Sequence, residues 1–206
     1  MQLLFPERCV GCSRTSNLGA LLCRKCSEEW KRPIHNKIEG VPLVASAYYS
    51  LSISHIVLKA KENNDSRARR VLATFIAEQI NTPHILLPIP SSAAANRRRG
   101  FDHAFLLAKE VAQLTGSQVW QGLRTNRKVK DQTKLRHDQR FINLAGAYSL
   151  TGGNQPSGAL VVIDDLVTSG ASLREALRAL KSAQIAPIAA ICACIATHHL
   201  PNTIST

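Results

Sequence analysis

The stretch Val161–Ser172, VVIDDLVTSGAS, concentrates more usable chemistry than any other part of the chain. An apolar run ends in two adjacent carboxylates, Asp164 and Asp165; a turn of Thr168, Ser169, Gly170, Ala171 and Ser172 follows, and helical periodicity starts directly after it. Hydroxyls at Thr168, Ser169 and Ser172 can donate to a phosphate, Gly170 lets main-chain N–H groups approach it, and the helix N-terminus adds partial positive charge. The two acids have the opposite character. They repel phosphate but accept hydrogen bonds from neighbouring hydroxyls. A ribose 5-phosphate unit meets both demands. The bland alternative is an ordinary strand-to-helix turn with Ser172 as cap and solvated aspartates.

A second cluster sits at the start of the chain. Cys9-x2-Cys12 and Cys23-x2-Cys26 form two CxxC turns separated by ten residues. Each turn can aim two thiolates at one cation, and two together complete a tetrahedral Zn²⁺ site that is closed and therefore structural. Four thiolates also suit an iron–sulfur cluster, and paired thiols can form disulfides; a reducing cytosol works against the disulfides, and the spacing resembles a zinc ribbon or knuckle. With so few aliphatic residues in its first forty positions, this segment would draw much of its folding free energy from the metal. Cys192 and Cys194 alternate with Ala and Ile in a strand-like run, which places both on one buried face.

The elements that must position these groups read as an α/β pattern from Pro42 onward. Strands are expected over Leu43–Tyr49, His84–Ile89, Leu160–Ile163 and within Ile185–Ala196. Helices are expected over Ser66–Ile80, from Asp102 as N-cap to about Gly116, and over Leu173–Lys181. The second helix carries the apolar residues Phe105, Leu106, Ala108, Ala112 and Leu114, and the third has Leu173, Ala176, Leu177 and Leu180 inward. Gln121–Arg140 has little apolar periodicity and reads as a long functional loop. The division expected is a four-cysteine module over residues 1–40 and an α/β domain over 41–206.

The chain's 206 residues carry a formal net charge of +12, and 45% are hydrophobic, which excludes wholesale disorder. Between Asn96 and Arg140 eleven basic residues face four acids, so +7 of the charge lies in the middle of the chain and favours an anionic partner. The apolar run Ile185–Ala196 is shorter than the roughly 20 residues a membrane span requires and contains Pro187. Glu7 and Arg8 interrupt the N-terminal apolar residues, which leaves no core of signal-peptide length. A cytoplasmic protein without membrane insertion is expected.

The DDLVTSGAS segment resembles the phosphoribosyl diphosphate (PRPP) motif of type I phosphoribosyltransferases. That resemblance implies a parallel sheet flanked by helices, with Asp164 and Asp165 on the ribose hydroxyls, Thr168 through Ser172 on the 5-phosphate, and Mg²⁺ accompanying PRPP. A wider likeness includes the four-cysteine start, Pro88-Ile89-Pro90, the Arg99-Gly100-Phe101 turn, and the series Arg127, Gln132, Leu135, Arg140 and Asn143. These occur in the order seen in the ComF family of bacterial competence proteins. This chain has Asp102-His103 where the family usually continues Asn-Gln, and Ala93, Ala94 and Ala95 where further Arg often precedes the turn; Arg97, Arg98 and Arg99 could compensate by position. The resemblance implies a protein that handles incoming single-stranded DNA in natural transformation, or DNA used as a nutrient, with a helicase or other competence protein as partner. A catalytically active phosphoribosyltransferase is the alternative; there Arg99 and Gly100 would lie at the diphosphate loop, and Arg127 would offset charge on the departing diphosphate. A zinc-stabilised scaffold with a vestigial phosphate site is the third reading.

Overall fold

The structure, a computed structural model, describes residues 7–126, 146–152 and 156–196. Eight strands are described: β1 (Ile34–Ile38), β2 (Val41–Tyr48), β3 (Ile85–Pro88), β4 (Gln118–Val119), β5 (Leu123–Thr125), β6 (Tyr148–Leu150), β7 (Leu160–Val167) and β8 (Ala189–Ile195). The described helices are α1 (Arg24–Glu28), α2 (Leu51–Glu62), α3 (Ser66–Ala77), α4 (Ala93–Arg99), α5 (His103–Thr115) and α6 (Ala171–Ser182). Six strands form one sheet in the order β1-β2-β8-β7-β3-β4. Only β1 runs antiparallel to its neighbour; every other pairing in that sheet is parallel. The expected architecture, a mostly parallel sheet flanked by helices with a four-cysteine segment ahead of it, is borne out.

Central strands buried on both faces read as continuous apolar runs, which is why β7 and β8 stand out in the sequence. One face of the sheet carries α2, α3 and α5: Ile53, Ile56 and Val57 of α2, Leu72 and Ile76 of α3, and Leu107 and Val111 of α5 share a core with Leu86, Val161 and Ile163. The other face carries α6 and the β5–β6 hairpin, with Leu173, Leu177, Leu180, Leu123 and Tyr148 packed on Leu87, Val162 and Ala190. Each large aliphatic buried this way contributes roughly 1.5–3 kcal/mol from its removal from water.

In α5 the inward face is His103, Leu107, Ala108 and Val111, and Leu114 is exposed. The i, i+4, i+8 stripe meets the sheet, and the stripe carrying Leu106 and Leu114 turns away. Two expectations are corrected. Cys192 and Cys194 are both buried, but Cys192 packs in the α6 layer and Cys194 in the α2/α3 layer rather than on one face. Within the expected loop Gln121–Arg140, Leu123–Thr125 is a strand that pairs antiparallel with β6; residues 127–140, including Arg127, lie outside the described residues, as do Leu135 and Asn143. The second helix of the sheet's first crossover begins at Ser66 as expected, with Asp65 accepting from the N–H groups of Arg67 and Ala68.

The cysteine segment is docked rather than tethered. Trp30 is 2% exposed and stacks on Phe75 of α3, with ring centroids 4.5 Å apart and planes 4° from parallel. Val10, between two of the cysteines, belongs to the α2/α3 core. The segment continues into β1, which joins the sheet edge at β2. Among the described residues no helix is long and apolar enough to cross a membrane.

Candidate functional site

β3 and β7 are neighbours in the sheet, yet the chain leaves them in opposite directions: β3 leads through α4 and α5 to β4 on one side, β7 through α6 to β8 on the other. Open α/β sheets bind ligands at such a reversal, beyond the carboxyl ends of the strands. A cavity of about 460 Å³ opens there. Its wall is built by Pro90, Ser91 and Ser92 after β3, by Arg98, Arg99 and His103, by Lys61 and Glu62 at the end of α2, by Tyr148, and by Asp164, Asp165, Thr168 and Ser172.

The two acids have different surroundings. Asp165 is 4% exposed, and Lys61 Nζ donates to its Oδ2 at 2.9 Å and to its Oδ1 at 3.2 Å. His103 Nε2 lies 3.3 Å from the same Oδ2. Burial works against the charge on Asp165, but Lys61 and His103 outweigh it and hold the carboxyl well below the usual carboxylate range. Lys61 in turn is raised: burial would lower it, and the charges of Asp165 and Asp164 prevail. Asp164 is pushed well above the usual range, first by burial and then by the like charge of Asp165, against the pull of Lys61 and of the Asp165 N–H, which donates to Asp164 Oδ1 at 2.9 Å. The pair is therefore split into a pinned anion at Asp165 and a carboxyl at Asp164 that can carry a proton.

Of the five turn residues, Thr168 and Ser172 line the cavity. Ser169 is buried; its Oγ accepts from the Ala171 N–H at 3.4 Å and its carbonyl accepts from Arg174 Nη1 at 2.7 Å. Gly170 has φ 72°, a left-handed conformation that favours glycine, and a Cβ there would stand 2.9 Å from Ile38 Cδ1. It is the N-cap of α6 and brings no side chain to that end, so beyond Ala171, whose N–H goes to Ser169 Oγ, the first turn keeps the partial positive charge of a helix start. Arg99 also lines the cavity; Gly100 ends α4 with φ 77°, its N–H donating to the Asn96 carbonyl at 2.8 Å.

Three further groups come to the site that the sequence did not mark as site residues. Lys61 comes from α2, whose buried Ile53, Ile56, Val57 and Ala60 at helical spacing after Ser50 are a legible helix signal. His103 is the first residue of α5, fully buried against Asp165. Tyr148 opens β6; burial pushes its phenol up to about 12, with Asp164 and Glu175 adding to the rise and a hydrogen bond with Ser172 opposing it. The hairpin that brings Tyr148 in is anchored by Glu175 of α6, which accepts from the Tyr148 N–H at 3.3 Å and pairs with Arg178 at 2.7 Å. Glu175 sits below its ordinary range because Arg178 and the N–H groups of Tyr148 and Gly146 outweigh burial.

The four N-terminal cysteines converge as the spacing implies: their Sγ atoms all lie within 4.8 Å of one another, and those of Cys12 and Cys23 are 3.7 Å apart. All six cysteines are free thiols. A tetrahedral ion with metal–sulfur bonds of about 2.3 Å places its sulfurs about 3.8 Å apart, whereas a disulfide needs about 2.05 Å. The donor set therefore fits a single metal ion and is too tight for a multi-iron cluster. Burial raises the Cys9 thiol, but N–H groups of Cys12, Cys23 and Gly11 bring it down to about 6, so it ionises readily. The metal site and the cavity are joined through α2: His55 Nδ1 lies 3.2 Å from the Gly11 carbonyl oxygen, Lys59 donates to the Val10 carbonyl at 2.9 Å, and Lys61 reaches Asp165.

No family model matches the chain. It is similar to competence protein F of Haemophilus influenzae (strain ATCC 51907 / DSM 11121 / KW20 / Rd), with 23% identity over 195 residues that cover 86% of this chain and 79% of that protein. The resemblance to the ComF family is borne out by this relative. Among solved structures, the allosteric regulatory enzyme of purine biosynthesis superposes with a TM-score of 0.39 at 19% identity, over 61% of this chain and 25% of the other, so the chain spans about a quarter of that enzyme. Adenine phosphoribosyl transferase from Trypanosoma brucei, in complex with AMP, pyrophosphate and ribose-5-phosphate, superposes with a TM-score of 0.38 at 10% identity, over 72% of this chain and 78% of the other.

Proposed function

We propose that the chain binds a ribose phosphate, free or as part of PRPP, at the carboxyl end of β7, and that it is a competence-type protein handling single-stranded DNA during transformation or DNA utilisation. The observation that carries the binding proposal is the joint placement of Asp164, Thr168 and Ser172 on one cavity at the start of α6. Asp164 offers a carboxyl to ring hydroxyls; Thr168, Ser172 and the helix N–H groups offer donors to the phosphate. Asp165 acts through position, since Lys61 and His103 hold it and it braces the strand end that presents Asp164.

Titration calorimetry with ribose 5-phosphate and with PRPP tests this directly. Binding to the wild type that is lost in Asp164→Ala supports it, and no heat with either ligand removes it. For the DNA role, the net charge of +12 predicts affinity for single strands that falls steeply with salt; fluorescence anisotropy that shows no binding, or binding indifferent to salt, refutes that part. The proposed protein partner, a helicase or another competence protein, rests on the resemblance alone.

The second reading, a phosphoribosyltransferase with an unidentified acceptor, is favoured by the size of the cavity, which lies within the range of small-molecule sites (roughly 300–1,000 Å³). It requires diphosphate release from PRPP in the presence of Mg²⁺ and a nitrogenous base. For Mg²⁺ the cavity supplies Asp164, since Asp165 is held by Lys61 and Glu62 by arginines, so the ion would draw most of its oxygen ligands from PRPP and water. We further propose that the four thiolates hold Zn²⁺ as a structural ion that fixes both CxxC turns against α2.

A further inference from the structure

Another part of the cavity wall is built by the turn after β3, the end of α4 and the end of α2, and its arginines already face a carboxylate. Arg98 Nη2 donates to Glu62 Oε2 at 3.1 Å, and Arg99 Nη1 stands 3.8 Å from Glu62 Oε1. Arg99 is further fixed: its side chain is 2% exposed, its Nη2 donates to Asn96 Oδ1 at 2.9 Å, its guanidinium lies 5.9 Å from the centre of the Phe101 ring, and its Nε is closed off from solvent. Lys61, the neighbour of Glu62, is spent on Asp165. Among the described residues lining the cavity, three Lys and Arg (Lys61, Arg98, Arg99) thus stand against three acids (Glu62, Asp164, Asp165).

The part of the wall at the start of α6 and the part at Glu62 therefore differ. At the start of α6, Thr168, Ser172 and main-chain N–H groups can receive a monoester whose charge a helix end accommodates. At Arg98 and Arg99 an incoming diphosphate would have to displace Glu62 from both arginines and then lie beside its charge. The arginine-poor start of α4, Ala93-Ala94-Ala95, adds no cation to offset this.

We infer that Glu62 sets the ligand class: resting on the ribose-phosphate reading and narrowing it, the cavity takes a ribose bearing one phosphate, and Glu62 disfavours a ribose that also carries a diphosphate. Calorimetry on the full chain, with ribose 5-phosphate and with PRPP, each in Mg²⁺, reads this out. The wild type is expected to bind ribose 5-phosphate at least as tightly as PRPP. Glu62→Gln is expected to raise PRPP affinity about tenfold, the effect of freeing one charge-assisted hydrogen bond, and to raise it more than ribose 5-phosphate affinity. Wild-type affinity for PRPP more than tenfold above that for ribose 5-phosphate overturns the inference while leaving the ribose-phosphate reading intact, and so does an unchanged PRPP affinity in a folded Glu62→Gln protein. Failure of the wild type to bind either compound removes both. The wild-type comparison decides even where the variant does not fold.

Discussion

Lys61 Nζ stands 2.9 Å from Asp165 Oδ2 across 104 positions of sequence, tying the last turn of α2 to the end of β7. The lysine keeps a third of its side chain in solvent while the carboxylate is buried, so the partner with most to lose is Asp165. Removing one member of such a pair leaves an uncompensated charge inside the protein.

Lys61→Met is therefore expected to destabilise the fold by about 2 kcal/mol, below the ~3–5 kcal/mol of fully buried pairs because Lys61 is partly solvated. Adding Asp165→Asn in the same chain should recover part of the loss, and urea unfolding of the four proteins in a double-mutant cycle measures the coupling. Equal losses that simply add would show that the pair contributes nothing.

The two acids are expected to pull the pH dependence in opposite directions. Asp165 is held below its unfolded value, so its contribution is present above about pH 4 and vanishes as the pH falls through its folded value. Asp164 is raised, so it costs stability as the pH climbs above about 4. Asp164→Asn should thus stabilise the protein at pH 7 while weakening ribose phosphate binding. Melting temperatures of wild type and variant between pH 4 and 8 check this; a variant that is less stable at pH 7 contradicts the split.

Metal analysis of the purified chain should find one Zn²⁺ per molecule. Stripping it with a chelator, or Cys12→Ser, should lower the melting temperature and shift the emission of Trp30 to the red, because the Trp30–Phe75 stack closes the cysteine segment onto α3. The emission is best followed in a Trp120→Phe background. Iron with visible charge-transfer bands in place of zinc would reassign the site.

Glu175→Ala should cost about 1–3 kcal/mol, since the Tyr148 N–H loses its buried acceptor. It should also weaken ribose phosphate binding, because Tyr148 lines the cavity from the hairpin that Glu175 anchors. Hydrogen exchange at Tyr148 reports the loosening; unchanged protection there would place the anchor elsewhere.

The sequence by itself determined the local features: the apolar runs of β7 and β8, the cap at Asp102, the turn that brings Thr168 and Ser172 to the start of α6, and the two CxxC turns whose sulfurs meet. Each depends on neighbours a few residues apart, where backbone geometry and side-chain chemistry leave little choice. Tertiary structure alone decided that Asp164 and Asp165 differ, that Glu62 faces Arg98 and Arg99, and that His103 lies buried against Asp165. Those outcomes rest on side chains brought together from α2, α4, α5 and β7 by sheet order. Charges far apart in sequence interact only through the distance and the burial that packing imposes.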